Sequence, residues 1–281
     1  MLRRIEAFRG QWSVCSKLKL TVPSRLKFMA ASLPRIGGWL SSFGVRALRV
    51  RVSERGRTLT LLLRPNGGDC GVVEEIFLKR PYDVQTEGIK TILDLGGNIG
   101  LATLLLQLRF PQAAIAVVEP IPQNVSVLKE TLKLNGIQAT VFEAAVGADD
   151  GLVKLLVSDG GNSSSAKPWF DKGREISVRQ MSIPSMMAVL GWSRIDLLKV
   201  DIEGYEKVLF SSNNDWLRCV NLIVGEAHAH VQYGIEDVTR DLVPFGFRVT
   251  QRSKDPQWGM ITFEAQACYP PWSRESSPSG T

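Results

Sequence analysis

From residue 91 onward the chain alternates short apolar runs with amphipathic stretches, and this alternation narrows the fold more than any other feature. TILDL is a short buried strand and LATLLLQL a helix; AIAVVE is a strand, and a helix opens near Pro122 and continues to Asn135. QATVFEAAV reads as a strand, followed by the hairpin-like LVKLLVS, then REISVRQMSI and a short helix near Pro184. IDLLKVDIEG and CVNLIVGEA are further strands, EDVTRDLVPF is a helix, and FRVTQRS and WGMITFEAQA are two consecutive strands. Strands separated by helices pair in parallel under helices on both faces, whereas strands with no helix between them close as an antiparallel pair. The expected class is therefore α/β, a mostly parallel sheet with an antiparallel terminal strand. The 281 residues suffice for one large core.

The segment ahead of that pattern differs in charge. Residues 1–64 hold 14 Lys/Arg against only Glu6 and Glu54, a surplus of +12, whereas the remainder holds 20 against 26 acids. Such asymmetry marks either an arm for a nucleic acid or membrane surface, or a solvated face packed on an acidic body. No aromatic interleaving or RNA-binding motif accompanies it, so no nucleic-acid partner is expected. Ile5, Phe8 and Trp12 have the spacing of a short amphipathic helix. Residues 1–45 read as an irregular lead-in, 46–267 as the domain and 268–281 as a disordered tail. RALRVRV and TLTLLLR flank Glu54-Arg55-Gly56 as a β-hairpin, and Asp69 reads as the cap of a helix running to Tyr82. No run of eighteen apolar residues occurs, so no membrane span is expected. Cys15, Cys70, Cys219 and Cys268 form no CxxC pair, and the basic start lacks an apolar h-region; a cytoplasmic location follows as the default. Nothing in the sequence specifies an oligomer.

Four clusters of chemically active residues fall at strand ends, where ligands of open α/β sheets bind. The first is Asp94-Leu95-Gly96-Gly97-Asn98-Ile99-Gly100. Its glycines allow a tight turn and close backbone approach. Asp94 ahead of them, and Asn98 where a dinucleotide fingerprint wants its second glycine, suit a cationic ligand better than a pyrophosphate. S-adenosylmethionine, with an ammonium and a sulfonium, is such a ligand. The second is Glu119 in VVEPIPQN, a carboxylate placed to accept both hydroxyls of a ribose. Downstream, Glu143 and Ala144 end the next strand, where an adenine should lie. The third is Lys199-Val200-Asp201-Ile202-Glu203-Gly204-Tyr205-Glu206, four charged side chains within eight residues after an apolar strand. Buried acids and lysines are rare unless paired or functional. Asp201 would project toward a transferred group, and Glu203 and Glu206 could be drawn to one site across a strand-to-helix turn. The fourth is Glu226-Ala227-His228-Ala229-His230. If the strand continues, spacing of two puts its polar side chains on one face. With Asp201, they offer Glu226, His228 and His230 to a divalent metal; His228 serves better as a general base.

In their order, GGDCGVVEEIFLKRPYDV, DLGGNIG, VEPIPQN, AAVGADDG, the NSSS loop, LLKVDIEGYE and GEAH resemble the FkbM-type S-adenosylmethionine-dependent methyltransferases over roughly residues 58–230. The resemblance implies the Rossmann-like class I methyltransferase fold with a seven-stranded sheet. It also implies O-methylation of a hydroxyl on a sugar or small natural product, a small-molecule or glycoside acceptor being the partner. By position, Asp94, Gly96, Gly97, Asn98 and Gly100 would surround the methionine part and Glu119 the ribose. Asp201, Glu203 and His228 would line the acceptor side. The expected chemistry is direct displacement, with His228 or Asp201 taking the acceptor proton and Lys199 or Glu203 orienting the acceptor. The family usually has an acid-containing helix start before the fourth strand; here the chain reads SIPSMM, with Ser182 and Ser185. Competing readings are methyl transfer to nitrogen, carbon or nucleic acid, a non-catalytic cofactor-binding module, and a dinucleotide oxidoreductase. Asp94 and Asn98 disfavour the last, and an acidic acceptor wall repels phosphates.

Overall fold

The computed structural model describes residues 14–65, 68–158, 164–165, 173–228, 232–254 and 261–268. The chain divides into two compact units. One comprises Met1–Asp83, Gly97–Arg109 and Pro122–Gln138; the other comprises Val84–Gly96, Phe110–Ile121 and Ala139–Thr281.

In the first unit, helices α1 (Val22–Ser32) and α2 (Pro34–Ser42) precede a hairpin of β1 (Leu48–Glu54) and β2 (Arg57–Leu63). The expected irregular lead-in is thus corrected by two helices. Each begins with a proline in its first turn, where the missing N–H costs nothing, and the Pro, Gly and Ser content masked the pattern. Arg55 and Gly56 both have positive φ, which matches the right-handed twist of the flanking strands in a two-residue turn. Val50, Val52, Leu59, Leu61 and Leu63 bury one face of the hairpin at period two. Ser24 on α1 accepts the Arg51 N–H at 2.8 Å, fastening the helix to β1.

Helix α3 (Gly68–Glu74) runs into a π-helical turn over Glu75–Lys79, which ends at Arg80 in the left-handed region. Asp69 is not the expected cap. Its buried carboxylate instead accepts the Arg64 backbone N–H at 2.7 Å and a hydrogen bond from Arg64 Nη2 at 2.7 Å. The same unit holds α4 (Leu101–Arg109) and α5 (Pro122–Leu134). Asn135 after α5 exchanges two hydrogen bonds of 2.8 Å with the Thr60 backbone, standing in for a strand partner.

The second unit is built on a seven-stranded sheet of β3 (Thr91–Leu95), β4 (Ala114–Val118), β5 (Thr140–Phe142), β10 (Ile195–Val200), β11 (Val220–Ala227), β12 (Phe247–Lys254) and β13 (Ile261–Ala267). Its order is β12-β13-β11-β10-β3-β4-β5, with β11, β10, β3, β4 and β5 mutually parallel and β13 antiparallel to both its neighbours. The expected mostly parallel sheet with an antiparallel terminal strand is what forms. All of β10 and nearly all of β11 are buried, as strands covered on both faces should be. Asp196 secures the amino end of the sheet by accepting the Lys90 and Thr91 N–H groups at 2.7 and 3.1 Å.

QATVFEAAV is not one strand. It splits at Glu143-Ala144 into β5 and β6 (Ala145–Gly147), and β6 joins a second sheet of order β6-β9-β7-β8 with β7 (Gly151–Ser158), β8 (Ser164–Ser165) and β9 (Gly173–Ser182). Most of the polar loop between β7 and β9, and the tail beyond Cys268, lie outside the described residues. Helix α6 (Ile183–Leu190) is capped by Ser182, whose Oγ accepts the Ser185 N–H at 3.4 Å, while Asp150 accepts the Ser182 N–H at 2.7 Å. The acid missing from SIPSMM is therefore supplied from another segment. Helices α7 (Glu206–Ser211) and α8 (Ile235–Leu242) complete the unit's longer elements. No described helix is long and apolar enough to cross a membrane.

Asp69→Ala would leave the largely buried Arg64 guanidinium without its carboxylate. The variant is expected to lose about 3 kcal/mol of unfolding free energy. Urea denaturation checks this, and a change below about 0.5 kcal/mol would contradict it.

Candidate active site

Strand order locates the site. Starting from β3, the chain adds β4 and β5 on one side and then returns to add β10 and β11 on the other. The carboxyl ends of β3 and β10 therefore form the topological switch point. Register puts Lys199 opposite Asp94 and Val224, and Asp94 opposite Val117. Side chains alternate along strands, so Asp94, Lys199 and Glu226 share one face of the sheet. Continued past the strand ends, the same parity leads to Glu119, Glu143, Asp201 and His228.

Lys199 is fully buried at the centre of this face. Its Nζ donates to the carbonyls of Leu95 and Gly96 at 3.1 and 2.7 Å and lies 3.2 Å from Asp94 Oδ1 and 3.6 Å from Asp201 Oδ2. Burial works against its charge, but the carboxylates of Asp94, Asp201 and Glu226 outweigh that and raise its pKa above the ordinary lysine value. Gly96 has φ +78°, and a Cβ there would sit 1.7 Å from the Asp201 carbonyl oxygen. Only glycine lets the two strand ends approach this closely. The Asp201 N–H bonds to Leu95 O at 3.2 Å and the Gly96 N–H to Val118 O at 3.0 Å, so three strand ends are knit here.

After Asp201 the backbone turns through Glu203 (φ 55°) and Gly204 (φ 95°). Glutamate in the left-handed region costs on the order of 1 kcal/mol, a strain of the kind held at functional sites. Glu206, at the first position of α7, is completely buried. Its Oε1 accepts the Ile202 N–H at 3.0 Å and lies 3.1 Å from His228 Nδ1, while His228 Nε2 is 3.9 Å from Glu203 Oε2. Burial disfavours the imidazolium, yet Glu206, followed by Asp201 and Glu203, raises the His228 pKa from 6.5 to about 10. Sequence reasoning drew Glu206 toward the site but gave it no role. The signal for its pairing with His228 is a tertiary contact across 22 residues, which spacing does not carry.

Glu119 is buried just past β4, with Oε1 accepting the Ile121 N–H at 3.0 Å. Glu143 is exposed and Ala144 buried at the junction of β5 and β6. Gly97, Asn98 and Gly100 belong to the first unit; Asn98 has φ 49° and Gly100 φ 85°. Asp201, Glu226 and His228 each offer one ligand atom within 4.8 Å of the others. His230, the remaining expected metal ligand, lies outside the described residues. The four cysteines are free.

A mostly parallel seven-stranded sheet of this order, with acids at successive strand ends around its switch point, defines the Rossmann-like methyltransferase class. The FkbM methyltransferase domain model matches residues 94–249, from the glycine turn into β12. The chain belongs to the FkbM methyltransferase family. It is 28% identical over 236 residues to methyltransferase sdnD of Sordaria araneosa, covering 69% of this chain and 89% of that protein. It is 28% identical over 177 residues to methyltransferase 1 of Beauveria bassiana, covering 54% of this chain and 70% of that protein. The 31-O-demethyl-FK506 methyltransferase FkbM of Streptomyces tacrolimicus is 24% identical over 227 residues, 68% of this chain and 86% of that one. A solved FkbM methyltransferase from Methylobacillus flagellatus superposes with TM-score 0.49 at 14% identity; the match covers 94% of this chain and 59% of that one.

The raised His228 pKa has a consequence for stability. Because the folded state binds this proton more tightly than the unfolded chain, the contribution is fully present below pH 6.5 and is lost as pH rises toward 10. Urea denaturation across that window should show wild-type stability falling relative to His228→Gln. Parallel pH profiles for the two proteins would contradict the charged pair.

Proposed function

We propose that this chain transfers the methyl group of S-adenosylmethionine to a hydroxyl of a sugar or other small molecule. The observation that carries the reading is the charge imbalance at the switch point. Five carboxylates, those of Asp94, Asp201, Glu203, Glu206 and Glu226, surround two cationic side chains, Lys199 and His228. This leaves a formal surplus of three negative charges on a largely buried surface. Such a surface favours a ligand with net positive charge and disfavours a phosphate-bearing one. When bound, S-adenosylmethionine supplies a methyl carbon already activated by its sulfonium.

The chain's residues then have positional tasks. Asp94 and Gly96 would hold the methionine part, with Glu119 at the ribose and Glu143 with Ala144 at the adenine. Asp201 and Glu203 would face the acceptor, and Lys199 holds Asp201 in place. His228 would handle the acceptor proton through Nε2 while Glu206 fixes Nδ1. Before it can act as a base, His228 must give up the proton that Glu206, Asp201 and Glu203 favour. A second cation brought beside it pushes in that direction.

Asp201, Glu226 and His228 also support a second reading, in which a divalent ion orients the acceptor. That arrangement requires a neutral His228 and competes with Lys199 for Asp201. Turnover unchanged by a chelator removes this reading; loss restored by magnesium or manganese supports it.

Glu206→Gln tests the proton assignment. Removing the anion beside Nδ1 should shift the acidic limb of the kcat/KM profile to lower pH by about one unit or more. Calorimetric affinity for S-adenosylmethionine should stay within about threefold of wild type. An unmoved acidic limb would contradict the role given to His228 and Glu206.

A further inference from the structure

We propose that the helical pair α1–α2 docks this protein on an anionic lipid bilayer surface. The first observation is apolar exposure. Of the large apolar side chains that stand well exposed among the described residues, five fall on or beside these two helices: Val22, Leu26, Ile36, Trp39 and Phe43. They are 41% to 73% exposed. The others, Leu152, Val189 and Val243, are scattered through the other unit.

The exposure is ordered along each helix. On α1, Phe28 and Ala31 are buried and Ser24 is tied to β1, whereas Val22 and Leu26, one turn apart, stand out on the other side. On α2, Gly37 abuts the Pro65 carbonyl, while Ile36, Trp39 and Phe43 follow the three- and four-residue spacing of an exposed stripe. The Trp39 and Phe43 rings pack on each other with centroids 4.8 Å apart, and α1 and α2 are themselves in contact. Neighbouring helices that each expose an apolar stripe are unusual on a surface that meets only water.

The second observation is charge. No acid occurs between Glu6 and Glu54, against nine Lys/Arg in that span. Lys17, Lys19, Lys27 and Arg46 are exposed around the two helices. Exposed aliphatic and aromatic side chains together with exposed bases, on a stretch of chain that holds no acid, match the boundary between acyl chains and anionic headgroups. A second copy of the same segment would bring bases to bases, since the segment itself holds no acid to pair them. Val22 and Leu26 offer a nucleic acid nothing to stack on.

The test is flotation of the full chain with vesicles of phosphatidylcholine, and of phosphatidylcholine containing one-third phosphatidylglycerol. The chain should float with the anionic vesicles only, and raising salt to about 1 M should release most of it. A Leu26→Ser/Trp39→Ser/Phe43→Ser variant and a Lys17→Glu/Lys19→Glu/Lys27→Glu variant should each float at least about tenfold less. Both should keep the wild-type thermal unfolding midpoint, since the altered side chains are exposed. Wild-type flotation by the serine variant, or no flotation by the wild type, overturns the proposal. So does a wild-type dimer that the serine variant dissociates, which would assign the face to a second copy. Oligonucleotide binding lost only in the glutamate variant, without flotation, would assign it to a nucleic acid and overturns the proposal as well.

Discussion

One buried ammonium group organises the carboxyl edge of the sheet. Lys199 stands between Asp94 on β3 and Asp201 beyond β10, and it also donates to the two carbonyls that begin the glycine turn. A lysine buried this deeply is tolerable only because several oxygens face it at once. The converse holds for Asp94, which is fully enclosed and has the Lys199 ammonium 3.2 Å from its Oδ1. Each makes the other's burial possible, and together they hold the ends of two strands that diverge at the switch point.

The remaining acids are arranged around that lock rather than neutralised by it. Glu206 is committed to His228 and to the Ile202 N–H, and Glu203 sits in a left-handed conformation that glutamate does not favour. The left-handed Glu203-Gly204 turn lets the chain leave β10 and enter α7 with both carboxylates directed to His228. Local backbone strain, a glycine against a carbonyl and a surplus of negative charge therefore coincide in one place. A structure concentrates such costs where a ligand later offsets them.

Much of this was legible in the sequence because the sheet writes a strong pattern. Buried parallel strands read as continuous apolar runs, and each run stops at a charged residue: Asp94 near the end of TILDL, Glu119 after AIAVV, Asp201 after IDLLKV, His228 after NLIVGEA. Pairing of Glu206 with His228 was not legible, because it depends on the fold bringing the start of α7 to the residue that follows β11. Asp69 misled for a related reason: an acid before a helical run reads as a cap, and only tertiary structure shows Arg64 turned onto it. The division of QATVFEAAV between two sheets was hidden because both halves are equally apolar, and hydropathy does not encode which partner each will find. Helices α1 and α2 were obscured by the prolines that begin them.

The proposed donor site depends on Lys199 holding the surrounding carboxylates in place. Calorimetric titration of S-adenosylmethionine into Lys199→Met, on protein shown to unfold cooperatively, measures this most directly. Loss of the ammonium should release the Asp94–Gly96 turn from Asp201 and weaken binding by about tenfold or more, equivalent to about 1.4 kcal/mol. Binding within about twofold of wild type would contradict the claim that this buried cation builds the site.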